Sequence, residues 1–246
     1  LVYNEKIKLA SVIAIFKCVL FFLDDNKIQK LQLKLIPSIY HQKPAEELHY
    51  ALFLAEAQLI RRDTLSVIDL NVCYNLSKDR KVGISKGGKN QLEIKEVFGF
   101  ESFWNEILIP NLAQKHQAKP VHSLEEITKL KALFPDNIRQ FNVYEKGVLV
   151  AGTTIFEAAN VAHSQYISGK EEKNELGGLD LLHYHLLTEV YKEKKFFDFG
   201  ISNEEQGRNL NKGLSYWKES FGASTIVHDF YEVETINFTK LENILK

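Results

Sequence analysis

His163 is the residue whose type and setting most directly suggest chemistry. It lies in a segment, residues 161–166, whose pattern predicts a strand with His163 and Gln165 on one face and Ser164 and Tyr166 on the other. A histidine titrates near neutral pH, so it can take a proton from an attacking nucleophile. A structural histidine is the alternative interpretation of the same pattern.

Asp198 is a second candidate, set in an apolar run of phenylalanines. Residues 196–199 and the following Gly200 predict a buried strand that stops at the glycine. If this strand adjoins the first, Asp198 can orient His163 or hold a substrate amine. A capping carboxylate is the alternative.

A polar loop and a helix follow this strand. Residues 202–208 are polar, and the next apolar residues recur at three- and four-residue steps that predict an amphipathic helix, with Leu210, Leu214, Trp217 and Phe221 inward and a glycine stop at Gly222. Lys218 lies on this helix, on a face that is not simply apolar. Open α/β sheets usually bind ligands at the carboxyl end of a buried strand, where the chain continues into a helix.

Two further clusters contain groups that bind anions. Arg61 and Arg62 are adjacent in a predicted strand, so their forked side chains, which suit carboxylate or phosphate, project to opposite faces. Pairing with neighbouring residues is the alternative for them. Residues 76–90 form a basic segment that either meets phosphate or is a solvated surface.

The end of the chain resembles the acyltransferase domain of the GNAT superfamily, and more closely its FemAB-like branch. The matching residues are Phe197-Asp198-Phe199-Gly200, Gly213-Leu214 and Lys218-Glu219-Ser220-Phe221-Gly222. The resemblance implies an α/β chain with a mixed sheet, in which residues 98–246 form a GNAT-like acyltransferase domain. Residues 1–97 would form a preceding, degenerate GNAT-like half without its first strands.

The resemblance also implies a function and a set of site residues. The chain would be an N-acyltransferase that moves an acyl or aminoacyl group from acyl-CoA, such as acetyl-CoA, or from aminoacyl-tRNA to a small-molecule or peptide amine. The residues implied are Lys218, His163 and Asp198 for catalysis; Gly177, Gly178, Gln165, Ser202, Asn203 and Arg208 for the donor; and Tyr40, His41, Arg61, Arg62 and Tyr166 for the acceptor. An inactive GNAT-like module that binds a nucleotide-sugar, peptide or protein is the alternative, and a purely structural partner domain is a third.

The segment before the predicted helix at residue 178 bears on the donor. Relatives of the GNAT type wrap a pyrophosphate with a glycine loop, whose amides approach the phosphate at a helix start. Gly177 and Gly178 stand at this position, but no Gly-x-Gly is present, and Glu171, Glu172 and Glu175 would repel a pyrophosphate. This departure favours aminoacyl-tRNA as the donor, with tRNA as a partner.

Composition limits the remaining possibilities. The 246 residues are 45% hydrophobic and 26% charged, which suffices for a substantial core, and the net charge of -1 gives no global field for nucleic acid. Cys18 and Cys73 have no metal-ligand spacing, so we expect no metal and a reduced, cytoplasmic setting. The chain contains no methionine, which indicates a fragment or omitted residues.

Two function classes are disfavoured. The longest apolar run, residues 12–23, is too short and too charged to cross a bilayer. Ser-His-Asp hydrolysis is not supported because the chain has no Gly-x-Ser-x-Gly elbow.

Periodicity predicts the elements that would position these residues. Helices are expected at residues 6–23, 44–57, 100–116, 123–134, from 176 and at 210–222; strands are expected at 30–35, 58–70, 141–144, 148–157, 160–168, 196–199 and 224–232. Because a helix separates the strands that begin at Val161 and Phe196, we expect those two strands to be parallel neighbours that splay at their C-terminal ends.

Overall fold

The computed structural model describes residues 1–4 and 6–244. The helices are α1 Leu9–Asp25, α2 Glu47–Leu54, α3 Lys78–Lys89, α4 Glu101–Phe103, α5 Ile109–His116, α6 Leu124–Leu133, α7 Gly178–His185 and α8 Lys212–Glu219. The strands are β1 Lys30–Lys34, β2 Gln58–Asp69, β3 Glu93–Val97, β4 Ile138–Glu145, β5 Val148–Glu157, β6 Val161–Gly169, β7 Phe196–Ile201, β8 Asn203–Glu204, β9 Asn209–Leu210 and β10 Ser224–Glu234.

The described chain divides into two compact units. The first contains residues 1–64, 203–210 and 226–246, and the second contains residues 65–202 and 211–225. The boundary expected at residue 97 therefore falls inside the second unit, where β3 pairs with β4. The interpretation of residues 1–97 as a degenerate half stays a prediction.

In the first unit, β10 lies between β1 and the beginning of β2. The pairing of β1 with β10 is antiparallel, from Lys30 opposite Glu234 to Lys34 opposite Phe230. Phe16 and Leu20 of α1 and Leu52 of α2 are buried in one apolar cluster with Val233 of β10. Burial of such side chains, at about 25 cal/mol per Å² of apolar area, is the main stabilising term.

The second unit is built on a mixed sheet in the order β2, β7, β6, β5, β4, β3. The β6–β7 pair is parallel and its neighbours in this sheet are antiparallel. α7 is the crossover that parallel neighbours require. One apolar cluster joins the sheet to α7 and α8 and includes Leu182, Phe197 and Phe221, while another joins it to the α4–α5 segment and includes Phe103 and Trp104.

Most predicted elements are confirmed, with shifted ends. The expected capping box of α6 is present, since Ser123 Oγ accepts from the Glu126 amide and the Glu126 carboxylate accepts from the Ser123 amide. Two elements were not predicted: β3 was missed, and the residues of α3 were expected only to form a basic segment. Three glycines lower the helix propensity of α3, but Ser77 caps its first turn by accepting from the Arg80 amide.

Candidate functional site

The site is organised around the point where β6 and β7 separate. The two strands pair only at Val161 with Phe196, Ala162 with Phe197 and His163 with Asp198, although β6 continues to Gly169. The splay predicted from the sequence is therefore confirmed. Beyond His163, the edge of β6 that faced β7 is not paired with it, and it can face a ligand.

A β-bulge lies at the same point. In the β5–β6 pair, Thr154 is opposite Tyr166 whereas Ile155 is opposite Ser164, so Gln165 is an extra residue in β6. Bulges re-aim side chains and are common beside active sites. No periodicity in the sequence signalled this one.

Asp198 links three parts of the site. One of its oxygens, Oδ2, lies 3.0 Å from His163 Nδ1, and the other, Oδ1, accepts from the Gly200 amide at 2.7 Å. His163 Nε2 lies 3.2 Å from Gln165 Oε1. When Nδ1 carries the proton and donates to Asp198, Nε2 is the basic nitrogen of the ring.

The His163–Asp198 pair is only partly shielded from water. The His163 side chain is 21% exposed, whereas that of Asp198 is 1% exposed. The imidazole therefore remains within reach of a substrate, while the carboxylate is held inside the protein. A buried carboxylate needs such partners to remain charged.

Gly200 allows the strand to turn tightly against the imidazole. Its φ is +73°, and a Cβ at this position would lie 3.3 Å from His163 Cε1. A side chain there would combine a strained backbone with a tight contact. The glycine also directs its carbonyl oxygen toward the next functional group.

That group is the ammonium of Lys218 on α8. Its Nζ donates to the carbonyl oxygens of Gly200 at 3.0 Å and Ile201 at 2.5 Å, and the residue is 2% exposed. Burial lowers the pKa of Lys218 to about 8, and the negative charge of Asp198 partly opposes this shift. Lys218 is thus turned into the protein, toward the strand that carries Asp198.

A cavity of about 400 Å³ lies along the free part of β6. Its walls come from β5, β6, the start of α7 and α8, and they include Val150, Ile167, Leu179, Leu214 and Trp217. α8 thus contributes both to the cavity, through Leu214 and Trp217, and to the cluster at His163 and Asp198, because Lys218 contacts β7. A largely apolar cavity of this size suits an acyl-sized group.

Gly177 does not have the role expected of it. It precedes α7 as predicted, but its amide donates to the Asn174 carbonyl at 3.3 Å, and a Cβ at this position would overlap the carbonyl oxygen of Gly83 in α3. The amide of Gly177 is therefore not open to an anion, because α3 packs directly against it. Gly178 is the first residue of α7 and lines the cavity.

Three residues that sequence analysis did not connect meet in the cavity wall. Asp180 Oδ1 accepts from both Arg80 Nη1 and Trp217 Nε1, the latter at 2.9 Å. Burial raises the pKa of Asp180, and the Trp217 hydrogen bond and the Arg80 charge oppose that rise. The glycines at a four-residue spacing in α3, Gly83 and Gly87, were the available signal that this helix packs closely on another.

The remaining donor candidates do not form one cluster. Ser202 is buried, and its hydroxyl has no hydrogen-bond partner among the described residues. Asn203 is fixed to β2, where its Oδ1 accepts from the amide and hydroxyl of Thr64 at 2.6 and 2.8 Å. Arg208 is exposed.

The predicted acceptor residues are mostly engaged by neighbours. Arg61 donates to Asp63 and to Gln206 Oε1, the latter at 2.7 Å, and Arg62 makes a two-pronged pair with Asp229 at 2.6 and 2.8 Å. Both guanidinium groups therefore have carboxylate partners, which agrees with the alternative interpretation.

Tyr166 and the Tyr40–His41 pair are also placed by local structure. The Tyr166 hydroxyl lies 2.7 Å from His122 Nδ1, and its ring packs on Trp104. The bulge at Gln165 places Tyr166 on the same face of β6 as His163, which corrects the expectation of opposite faces. Tyr40 ends a 3₁₀ turn, Ser38–Tyr40, and His41 follows it. An acceptor-binding role for these residues stays a prediction.

No family model matches the chain, and no curated protein matches it. Solved structures do. FemX aligns over 96% of this chain and 80% of its own, with a TM-score of 0.68 and 9% identity. The C-terminal domain of a protein described as a lysylphosphatidylglycerol synthetase, from Agrobacterium fabrum, aligns over 91% and 72%, with a TM-score of 0.63 and 12% identity.

A third solved structure, L-PGS from Bacillus licheniformis, covers 93% of this chain and 77% of its own, with a TM-score of 0.60 and 12% identity. These likenesses show that the chain has the fold shared by FemX and these two proteins, which agrees with the fold that the sequence resemblance implied. Within residues 1–4 and 6–244, no helix is both long enough and apolar enough to span a membrane.

Proposed function

We propose that this protein transfers an aminoacyl group from an activated ester to an amine, with the chemistry at the cluster of His163, Asp198 and Lys218. The observation that carries the proposal is the position of this cluster where β6 and β7 separate. A base, its orienting carboxylate and a cation thus meet at an open strand edge, as direct amine attack requires.

The proposed reaction is a single displacement at a carbonyl carbon. The acceptor nitrogen attacks the carbonyl carbon of the donor, forming a C–N bond and a tetrahedral oxyanion. His163 Nε2 takes the proton that the nitrogen loses, while Asp198 holds the imidazole through Nδ1. The oxyanion then collapses, the C–O bond of the donor ester breaks, and the leaving hydroxyl group takes the proton from His163.

Lys218 supplies positive charge in this scheme. Two of its three N–H groups point to carbonyl oxygens of β7, which fixes the ammonium, and the third remains to donate to the developing oxyanion. Holding this charge in a buried position makes it effective, because the surroundings need not reorganise during the reaction.

Two observations favour aminoacyl-tRNA over acyl-CoA as the donor. α3 packs against Gly177 and blocks access to its amide, at the position where a pyrophosphate would bind. The outer surface of α3 carries Lys78, Lys81, Lys86 and Lys89, none of which forms an ion pair with a described residue. Unpaired lysines attract the phosphate backbone of a nucleic acid locally, even in a chain with little net charge.

Thermal unfolding in the presence of different donors tests this proposal. A ligand at about 100 times its Kd adds about 2.7 kcal/mol to the free energy of unfolding. We expect alanyl- or lysyl-tRNA to raise the Tm and acetyl-CoA and palmitoyl-CoA to leave it unchanged. Stabilisation by a CoA thioester alone would contradict the donor assignment, and stabilisation by a nucleotide-sugar alone would favour the inactive binding module.

A further inference from the structure

Gln165 is the extra residue of the bulge in β6, and its side chain lies beside Nε2 of His163. Its Oε1 is 3.2 Å from Nε2, while Asp198 Oδ2 is 3.0 Å from Nδ1 of the same ring. Amide and carboxylate oxygens accept hydrogen bonds and do not donate them. Both ring nitrogens therefore face an acceptor, which an imidazolium satisfies fully and a neutral imidazole, with one N–H, does not.

The bulge is what gives Gln165 this position. In a regular strand, Tyr166 would lie on the face opposite His163. Because Gln165 has no partner residue in β5, His163 and Tyr166 lie on the same face of β6, with Gln165 between them in the chain. The side chain of Gln165 can therefore contact both neighbours, as bulges that re-aim side chains allow.

The Tyr166 hydroxyl indicates which end of the Gln165 amide faces His163. Burial raises the pKa of Tyr166, and hydrogen bonds from the His122 amide and from the Gln165 side chain oppose this rise, as donors to the phenol oxygen do. The His122 amide donates at 3.0 Å, and His122 Nδ1 lies 2.7 Å from the same hydroxyl. The donor of a glutamine side chain is its NH₂ group. With that group toward Tyr166, the amide oxygen is the end at His163 Nε2.

We propose that Gln165 is a positioning residue whose amide oxygen stabilises His163 when Nε2 carries a proton. For its effect on transfer this inference rests on the proposed function, in which the N–H bond of the acceptor breaks as the Nε2–H bond forms. The amide oxygen then accepts from Nε2–H until the proton passes to the leaving hydroxyl group. Hydrogen bonds from a charged donor are stronger than neutral ones. Gln165 thus acts through His163, and this role differs from the donor-binding role that the resemblance implied.

Other ionisable groups near the imidazole come from the neighbouring elements. Asp198 of β7 faces Nδ1, and its negative charge also acts on Lys218 of α8. The Tyr166 hydroxyl and His122 lie on the far side of the Gln165 amide. Substitution of Gln165 leaves all of these groups in place, so a change in the titration of His163 reports the loss of the amide.

NMR titration of the histidine ring nitrogens tests the assignment without substrate. The full chain is labelled with nitrogen-15 histidine, and the His163 signals are identified by their loss in His163→Asn. We expect Gln165→Leu to lower the pH at which Nε2 is half protonated by about one to two units, the effect of losing a hydrogen bond to a charged group. Gln165→Glu, whose carboxylate accepts more strongly, should raise that pH.

Gln206→Leu is the matched control, because Gln206 Oε1 also accepts a hydrogen bond, but from Arg61. It should leave the titration of His163 unchanged. An unchanged titration in Gln165→Leu, or a lowered midpoint in Gln165→Glu, would overturn the inference, and the second variant decides if the first does not fold.

Steady-state transfer gives a second measurement. Gln165→Leu should lower kcat by about 10-fold or more with little change in KM, because the lost hydrogen bond forms to the charged imidazole and not to the substrate. An unchanged kcat would contradict a role in the reaction. If the titration shifts as expected but no protein, including wild type, transfers an aminoacyl group, the proposed function fails while the contact between Gln165 and His163 stands.

Discussion

Asp198 is the residue on which the geometry of the site depends most. It fixes the imidazole of His163 through one oxygen and the turn at Gly200 through the other. Its buried setting between strand partners was predictable from the apolar run around it. Its pairing with His163 was expected from the helix that separates the two strands, because that connection makes them parallel neighbours.

We expect Asp198→Asn to lower the rate of transfer by about 10²- to 10⁴-fold, the usual contribution of a general base. Asparagine can still accept from the Gly200 amide, but its NH₂ then faces His163 Nδ1, which moves the ring proton to Nε2 and removes the base. Steady-state transfer rates measure the change, with exposed Asp136→Asn as the control. Full activity in Asp198→Asn would exclude this role.

Lys218 gives a second prediction at this scale. Lys218→Ala should lower the rate by roughly 10²- to 10³-fold with little change in KM, because one oxyanion donor is lost. Lys218→Arg should restore little, since a planar fork does not replace a compact ammonium. Lys212→Ala, an exposed lysine on the same helix, is the control and should be unaffected.

The pKa of Lys218 adds a pH dependence. Because burial lowers this pKa to about 8, the cation is present below that pH and is lost as the pH rises through it. The wild-type rate should therefore fall above about pH 8 relative to Lys218→Arg, whose guanidinium stays charged. If the rates of wild type and Lys218→Arg changed with pH in the same way, the ammonium form of Lys218 would not be the active form.

Other residues show why a sequence cannot place every side chain. The arginine pair in β2 looked available for a ligand, but its partners, Gln206 and Asp229, are 145 and 167 residues away along the chain. Tyr166 was predicted on the face opposite His163, but the bulge at Gln165 places both residues on the same face, where the Tyr166 hydroxyl lies 2.7 Å from His122 Nδ1. Such partners depend on tertiary contacts that local patterns do not contain.

At the scale of elements, α3 is the clearest difference between expectation and structure. The glycines and lysines of α3 predicted a solvated surface segment, yet Gly83 and Gly87 are buried against α7. Helix propensity disfavours glycine by about 1 kcal/mol, but a close helix crossing needs small residues. Strands with clear alternation or apolar runs were predictable, whereas the bulge at Gln165 depends on register with β5.

Substitution of these glycines tests the crossing. Gly83→Ala should lower the free energy of unfolding by about 1–3 kcal/mol, as overpacking usually does, because its Cβ would overlap Asp180. Gly88→Ala is the matched control, since a Cβ there meets nothing within 4 Å; it should be neutral or stabilising by up to about 1 kcal/mol. Urea unfolding measures both, and equal effects would contradict the packing described.

At the scale of the whole molecule, composition indicated a chain with a substantial core, and the resemblance of residues 197–222 implied the α/β fold. The division into compact units was not predictable, because it is discontinuous: residues 203–210 and 226–246 group with the beginning of the chain. Sequence patterns predict contacts between residues that are close along the chain. Residues 226–246 group with the beginning of the chain because β10 pairs with β1 and β2, and residues 203–210 do so through contacts such as Asn203 with Thr64 and Gln206 with Arg61.

The central claim is that the chain catalyses aminoacyl transfer at His163, Asp198 and Lys218, and a single-turnover assay tests it most directly. Excess protein is mixed with radiolabelled alanyl- or lysyl-tRNA and a panel of primary amines, and amide product is separated from free amino acid. We predict amide formation by wild type, loss of about 10²-fold or more in Asp198→Asn, and no product from acetyl-CoA. No amide from any of these donors, or equal product from wild type and Asp198→Asn, would contradict the account.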